Sequence, residues 1–289
     1  MGACSGKTKS IIDSAPVLSL PDYAPATDAE IDAFMALLRP LDLLMFRNSS
    51  VVSTVISQSE FVKTGSDAAS HVEVVITKRF CDKIKFAGSE DTLLSWGSTL
   101  SSVEAPNLEL GGATLGVQIR GLRNLIGAYL KKPGANIGVC RLLDNPTQKR
   151  KDESENAYYV RTKELKTKIG IAYDTLNGMM YDANPIALAA AVFPSLRPLR
   201  SATSEFVGRF TSANKWMFCS EFVATLYQMV DVITDETDGV ADGKLLNVQN
   251  VLPVDFLGYD ADRDGIVKPI CELPPKWIRP QLPPLASMI

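Results

Sequence analysis

The sequence predicts an α+β protein, because strand-like and helical segments are mixed without regular strand–helix–strand alternation. A hydrophobic fraction of 46%, with 22% charged residues, is ordinary for a globular protein. At 289 residues the chain is long enough for one large or two small domains with a buried core. Short segments typical of strands lie at 42–47, 71–80, 91–100, 117–120 and 137–143.

The first predicted helix lies within "TDAEIDAFMALLRP". Thr27 or Asp28 caps its start, Pro40 ends it, and the apolar residues between them recur at helical spacing. A second helix, "GLRNLIGAYLKK" (121–132), turns one apolar face inward. The residues on that face are Leu122, Leu125, Ile126 and Tyr129.

A long helical pattern follows over residues 155–181, and we expect it to break near Gly170 and Gly178, since glycine weakens a helix interior. Residues 48–61 are predicted as a polar turn into a short helix. Residues 185–195 form either an apolar helix or a buried hairpin.

The two ends of the chain are predicted to be arms around a domain that spans residues 28–273. Residues 1–27, rich in Ser, Pro and Ala, form a flexible N-terminal arm, and the Pro-rich residues 274–289 form a C-terminal arm. The start, "MGACSGK", resembles a myristoylation signal at Gly2, with Cys4 as a site for a palmitoyl chain. The choice between lipidation with membrane contact and an ordinary disordered start stays open.

Charge and cysteine usage argue against several functional classes. The net charge of -3 and the pI near 5.4 give no general attraction to nucleic acid, and Lys and Arg form no stripe interleaved with exposed aromatics. The five cysteines form no CxxC pair, so neither a zinc site nor a disulfide framework is predicted. We therefore expect no cofactor and a reducing, cytoplasmic compartment.

Two weaker features also yield no site. The longest wholly apolar run, "IALAAAVF" (186–193), is far shorter than the roughly 20 residues that a bilayer requires. "DADRDG" (260–265) begins like a calcium loop, but Cys271 stands where the bidentate Glu should be, and Pro269 interrupts the exit helix. We expect an acidic turn there and no metal.

Cys219 stands where an apolar stretch, "WMFCSEFVATLY" (216–227), becomes helical. A cysteine at a helix start faces unpaired N–H groups and a partial positive charge, which stabilise a thiolate. Ser220 and Glu221 are predicted to cap the helix and support its first turn. The alternative for Cys219 is packing alone, since free cysteine is among the most buried residue types.

A thiol nucleophile needs a base, and His71 is the chain's one histidine. Together "DLLMFR … SHVEVVI … WGSTL … GVQIRGL … FCSEFVATLY … PVDFL" resembles, in order, the circularly permuted NlpC/P60 papain-like proteins. That family includes YiiX-like amidase relatives, eukaryotic homologues and a poxvirus member. The likeness spans roughly residues 39–273, and its most specific parts are the His strand and the Cys helix.

The resemblance implies a permuted papain-like fold, in which a helix carrying Cys219 packs on a small antiparallel sheet carrying His71. It also implies a thiol hydrolase or acyltransferase that acts on an amide, peptide or acyl-lipid bond. Cys219 would attack the carbonyl, and His71 would protonate the leaving group and then activate water or a second acceptor.

The residue that orients the histidine departs from the family. Relatives carry Glu after the Trp of the middle strand, where this chain has Gly97, and Gly where it has Glu73. Because residues two apart on a strand share a face, Glu73 lies on the side of His71 and is the candidate third catalytic residue. Weaker candidates are Ser98, Thr99 and Glu104.

Leu41 also departs from the family, which carries Gly before Asp42. These departures leave a second functional hypothesis open: a structural or interaction protein of the same fold with reduced activity. Its terminal arms would join it to a membrane or to an assembly such as a virion.

Overall fold

A computed structural model describes residues 25–47, 69–99, 116–131, 135–181, 216–234, 251, 253–257 and 270–279. The predicted α+β class is confirmed, since these ranges contain four α-helices and a six-stranded antiparallel sheet. In chain order the elements are α1 (Asp28–Met35), β1 (Leu43–Arg47), β2 (His71–Thr77), β3 (Leu93–Thr99), β4 (Gly116–Gly121), α2 (Leu122–Tyr129), β5 (Asn136–Cys140), α3 (Glu155–Leu176), β6 (Met180–Tyr181), β7 (Trp216–Met217), α4 (Cys219–Met229) and β8 (Lys276–Trp277).

The sheet has the strand order β4-β3-β2-β1-β5-β8, and every neighbouring pair is antiparallel. The strand with His71 is therefore central, between β1 and β3. Within the stretch predicted as a C-terminal arm, β8 forms an edge strand against β5. The short strands β6 and β7 form a separate parallel pair.

Side-chain alternation gives the sheet two apolar faces, each covered by helices. On β2, Val72 and Val74 belong to one hydrophobic cluster, whereas Val75 belongs to another on the opposite face. Helices α3 and α4 pack in the first cluster, and α1 and α2 pack in the second. The sheet thus lies between two helical layers.

The helix starts follow the sequence closely. Thr27 caps α1 in a reciprocal pair with Glu30: the Thr27 hydroxyl accepts from the Glu30 N–H at 3.2 Å, and the Thr27 N–H donates to Glu30 Oε2 at 2.7 Å. Helix α2 buries the four predicted apolar residues and joins α1 through Arg123, whose guanidinium pairs with Asp28 at 3.3 Å and with Asp32.

Two sequence predictions fail at strand ends, and a third fails inside a helix. β2 stops at Thr77, and residues 78–80 form a 3₁₀ turn. β5 stops at Cys140 instead of 143. Helix α3 runs through Gly170 without a break, because the buried Ile169 and its neighbours on the same face hold it to the core, which outweighs the low helix propensity of glycine.

Leu41 precedes β1 in a backbone conformation that favours glycine, with φ of 67°. Its N–H donates to the Val75 carbonyl at 2.7 Å, and its carbonyl accepts from the Tyr227 hydroxyl at 2.9 Å. The Leu41 side chain is fully buried in the cluster below α4. Hydrogen bonds on both sides of the residue, together with its packing, therefore hold a conformation that a leucine rarely adopts.

Asp42, the next residue, is fully buried. Its carboxylate accepts from the Arg39 N–H at 2.9 Å and from Asn145 Nδ2 at 3.3 Å, and Arg141 Nε lies 3.8 Å away. Burial raises the pKa of Asp42 to about 6, although the hydrogen bond from Arg39 and the charge of Arg141 act in the opposite direction. Asp42 therefore joins the turn before β1 to the segment after β5. Because the carboxyl is buried, its ionisation lowers the stability of the folded state.

We expect Leu41→Gly to be more stable than Leu41→Ala. Both variants lose a buried side chain, at a cost of about 3–5 kcal/mol, but only Ala keeps a Cβ at positive φ, which costs about 1 kcal/mol. Urea unfolding of both variants measures the difference. At Leu44, which is fully buried within β1, the order should reverse, because Gly in a strand costs roughly 0.5–1 kcal/mol more than Ala. The same order at both positions would contradict the strain at Leu41.

The stability conferred by Asp42 should fall as pH rises. Between its ordinary pKa of 3.8 and about 6, the folded state retains a proton that the unfolded state has lost. The free energy of unfolding then decreases by up to about 1.4 kcal/mol per pH unit, and it levels off above that window. Asp42→Asn removes this dependence. Denaturant titrations across this pH window should show the free energy of unfolding of the wild type falling relative to that of Asp42→Asn. If the two free energies change in parallel with pH, the pKa of Asp42 is not raised.

Candidate active site

Cys219 is the first residue of α4, as predicted. The Glu221 carboxylate accepts from the Phe218 N–H at 3.4 Å and closes the helix start, which agrees with its predicted capping role. The Ser220 hydroxyl instead donates to the Val251 carbonyl at 2.6 Å. Ser220 therefore joins the helix to a distant segment and does not cap it.

Aromatic packing and a hydrogen bond dock the start of helix α4 on the sheet. Phe222 stacks edge-on against the buried Trp96 of β3, with ring centroids 5.3 Å apart. Just before the helix, the Met217 carbonyl accepts from the buried Ser98 hydroxyl at 2.8 Å. Ser98, a weaker candidate for orienting His71, therefore serves to dock the helix start on the sheet.

The imidazole of His71 lies close enough to the Cys219 sulfur to act on the pKa of its thiol. Burial by itself raises the pKa of the Cys219 thiol, which is only 4% exposed. The charge of His71 and its hydrogen bond nevertheless bring that pKa below the ordinary value. Backbone hydrogen bonds from Val72 and Ser220 act in the same direction. The sulfur thus has the surroundings of an activated thiol.

Cys219 lies near the first residues of β2, before the pairing of β2 with β3 begins. The β2–β3 ladder joins residues 74–77 of β2 to residues 93–96 of β3. His71 and Val72, which both act on the pKa of Cys219, precede it. The start of α4 therefore meets β2 at the end of the strand, although the body of the helix packs on the face formed by Val72 and Val74.

Glu73 contacts His71 on the other side of the imidazole. His71 Nε2 lies 2.7 Å from Glu73 Oε1, and the Glu73 side chain is 1% exposed. The ring of Phe46 lies 5.3 Å from the imidazole, centroid to centroid. Because Nε2 faces the carboxylate, Nδ1 is left for the sulfur. The three residues proposed from the sequence, Cys219, His71 and Glu73, therefore lie together, with His71 beside both of the others.

Two further buried residues hold the Glu73 carboxylate, and the sequence analysis missed both. The Ser95 hydroxyl donates to Oε2, and Arg120 Nη2 donates to Oε1. Ser95 and Arg120 lie directly opposite each other on β3 and β4. One signal was present: Gln118 and Arg120 alternate with apolar residues in "GVQIRG", which places polar side chains on one face.

Gly97 leaves the space that the Glu73 side chain fills. A Cβ on Gly97 would lie 2.4 Å from Glu73 Cγ and 2.8 Å from its carboxyl carbon. Carbon atoms that are not bonded to each other essentially never approach this closely. The glycine that departs from the family pattern is thus a requirement for the carboxylate on β2.

Other predicted positions lie apart from these contacts or outside the described residues. Thr99 is buried near the end of β3. Glu104, Gly2 and Cys4 fall in ranges that the structure does not describe. Among the described residues, no cluster of three or more His, Cys, Asp or Glu side chains is arranged to bind a metal ion. In the same ranges, no helix has both the length and the apolar character needed to cross a bilayer.

Neither a known protein family nor a curated protein matches this chain. The likeness to permuted papain-like proteins therefore stays a prediction from sequence motifs. The arrangement of Cys219, His71 and Glu73 is the feature of the described residues that indicates a function.

We expect Gly97→Ala to displace the Glu73 carboxylate from His71, because the new methyl group would occupy the same space. The rate at which an electrophile labels Cys219 should fall by about tenfold or more, together with a stability loss of about 1–3 kcal/mol from overpacking. Timed labelling followed by mass spectrometry, with thermal unfolding in parallel, measures both.

Gly170→Ala is the matched control, since a Cβ there meets nothing within 4 Å. It should leave labelling unchanged and stabilise helix α3 by about 0.5–1 kcal/mol. Normal labelling in Gly97→Ala would argue that Glu73 does not act on His71.

Proposed function

We propose that this protein is a thiol hydrolase or acyltransferase in which Cys219 is the nucleophile and His71 the base. One arrangement carries the proposal: Cys219 begins α4 beside His71, whose imidazole is held by Glu73 at 2.7 Å, and this neighbour lowers the pKa of a thiol that is almost completely buried. Burial normally has the opposite effect on a thiol, as it does on Cys81. A cysteine that only filled space would gain nothing from an imidazole partner.

The proposed reaction is acyl transfer in two steps. The Cys219 thiolate attacks a carbonyl carbon and forms a C–S bond, and the C–N or C–O bond breaks as imidazolium His71 gives its proton to the leaving group. Water or a second acceptor then attacks the thioester, with His71 taking its proton, and the thiolate is restored. Backbone N–H groups at the start of α4 would stabilise the oxyanion in both steps.

Glu73 is the proposed orienting residue. A carboxylate at 2.7 Å from Nε2 holds the imidazole plane and stabilises the imidazolium. The substrate class follows from the mechanism and from the motif resemblance: an amide, a peptide or an acyl-lipid bond. A circularly permuted papain-like fold is proposed on the same motifs, and the order of His71 before Cys219, on strand and helix, is consistent with it.

The limited exposure of the site favours a second function. Cys219 is 4% exposed and the His71 side chain is 15% exposed, as expected for a member of the fold that has reduced activity. Such a protein would act in structure or interaction, joined to a membrane or virion through its terminal segments. Intact-mass analysis of the N-terminus tests acylation at Gly2 and Cys4.

An electrophile such as iodoacetamide, used at mildly acidic pH, should label Cys219 selectively. About two pH units below its pKa an ordinary thiol is only about 1% thiolate, so it reacts slowly. The lowered pKa of Cys219 should keep its labelling at least about tenfold faster than that of free cysteine. Peptide mapping by mass spectrometry identifies the labelled residue.

His71→Gln, which keeps a polar side chain but removes the base, should slow the labelling of Cys219 by about 100-fold. Cys81 and Cys271 serve as internal controls, because their pKa values are raised and both are buried. Labelling of Cys219 no faster than free cysteine, or unaffected by His71→Gln, would reject the enzyme and favour the structural function.

A further inference from the structure

The Glu73 carboxylate has three polar partners in a buried network. Oε1 accepts from Arg120 and faces His71 Nε2 at 2.7 Å, and Oε2 accepts from Ser95. Glu73 is 1% exposed and Arg120 is 8% exposed, so neither side chain has bulk water as its main partner. A buried charge of either sign is costly alone, and the two neutralise each other here.

The chemistry of arginine limits what Glu73 can do. A guanidinium donates hydrogen bonds and never accepts them, and it stays charged in proteins. Burial lowers the pKa of Arg120 to about 10, which still leaves it cationic at neutral pH. The oxygen that faces Arg120 must therefore accept, and the same oxygen faces His71. The positive charge of Arg120 favours the carboxylate form of Glu73, which can only accept from Nε2.

We propose that Arg120 is a positioning residue that fixes the tautomer of His71, with the proton on Nε2 and the lone pair of Nδ1 directed to Cys219. The proposal deepens the proposed function, since a base must present a lone pair to the thiol. Arg120 acts through Glu73, whose Oε1 it contacts. Whenever the imidazole is neutral, this tautomer leaves Nδ1 able to take the thiol proton.

Loss of Arg120 should invert this arrangement. A buried carboxylate without a counter-charge has a raised pKa and becomes protonated near neutral pH. A protonated Glu73 donates to Nε2, which moves the imidazole proton to Nδ1. Nδ1 then donates toward the sulfur and accepts no proton from it. The base would be lost with both His71 and Glu73 still present.

The single histidine makes the test direct, since one imidazole gives one pair of ¹⁵N signals. The measurement uses a Cys219→Ala background, which removes the sulfur and its ion pair, at a pH where the imidazole is neutral. With Arg120 present, Nε2 should carry the proton and Nδ1 should not. With Arg120→Met, the assignment should reverse. Wild-type Arg120 with the proton on Nδ1 would overturn the proposal without any further variant.

Three variants separate positioning from simple structural support. Arg120→Lys keeps a positive charge and should keep the Nε2–H tautomer. Ser95→Ala removes only the hydroxyl donor and should also keep it, because Arg120 still holds Glu73 ionised. Arg123→Met makes the same side-chain change at a half-exposed arginine that pairs with Asp28 and Asp32, and it should change nothing at His71. Reversal in Ser95→Ala or Arg123→Met would contradict a specific role for Arg120.

Labelling of Cys219 in the otherwise wild-type chain links the tautomer to reactivity. Arg120→Met should slow labelling by about 100-fold at neutral pH, and Arg120→Lys should restore most of the rate. If the tautomer reverses in Arg120→Met but Cys219 is unreactive in the wild-type protein, the proposed function is rejected and the inference stands. An unchanged tautomer in folded Arg120→Met would reject the inference alone.

Discussion

The site depends on one contact, between the first residue of α4 and the first residue of β2. Cys219 is the first residue of α4 and His71 is the first residue of β2, where the strand pairs with β1 but has not yet begun to pair with β3. The two ends meet only while α4 stays docked on the sheet, through Phe222 against Trp96 and through Ser98 to the residue before the helix. Core packing therefore sets the distance on which any acyl-transfer chemistry relies.

Electrostatics then decide what the contact can do. The sulfur lies in surroundings that disfavour a thiolate, and the imidazole together with two backbone N–H groups reverses that preference. Behind the imidazole, the pairing of Glu73 with Arg120 keeps a carboxylate ionised where it would otherwise be costly. Glu73 and Arg120 cancel each other's charge, and a thiolate would cancel an imidazolium. Proton transfer from the thiol to the imidazole therefore leaves the net charge of the site unchanged.

The sequence predicts the parts of this arrangement that depend on local signals. Cys219 at a helix start follows from a change of period, and Glu73 beside His71 follows from the two-residue repeat of a strand. Ser95 and Arg120 could not be assigned in the same way, because their meeting with Glu73 depends on the register of three strands that are distant in the chain.

The fit between Glu73 and Gly97 limits how this sequence can drift. The two strands share one volume beside His71, and only one of them can supply a side chain to it. The effect of a mutation at either position therefore depends on the residue at the other, which is epistasis with a steric cause. Moving the acidic group from one strand to the other by single steps would pass through an ancestor with glycine at both places, whose histidine lacked its anionic neighbour. Two sequences of this fold that carry the acid on opposite strands would be separated by that intermediate, in which no carboxylate lies beside His71.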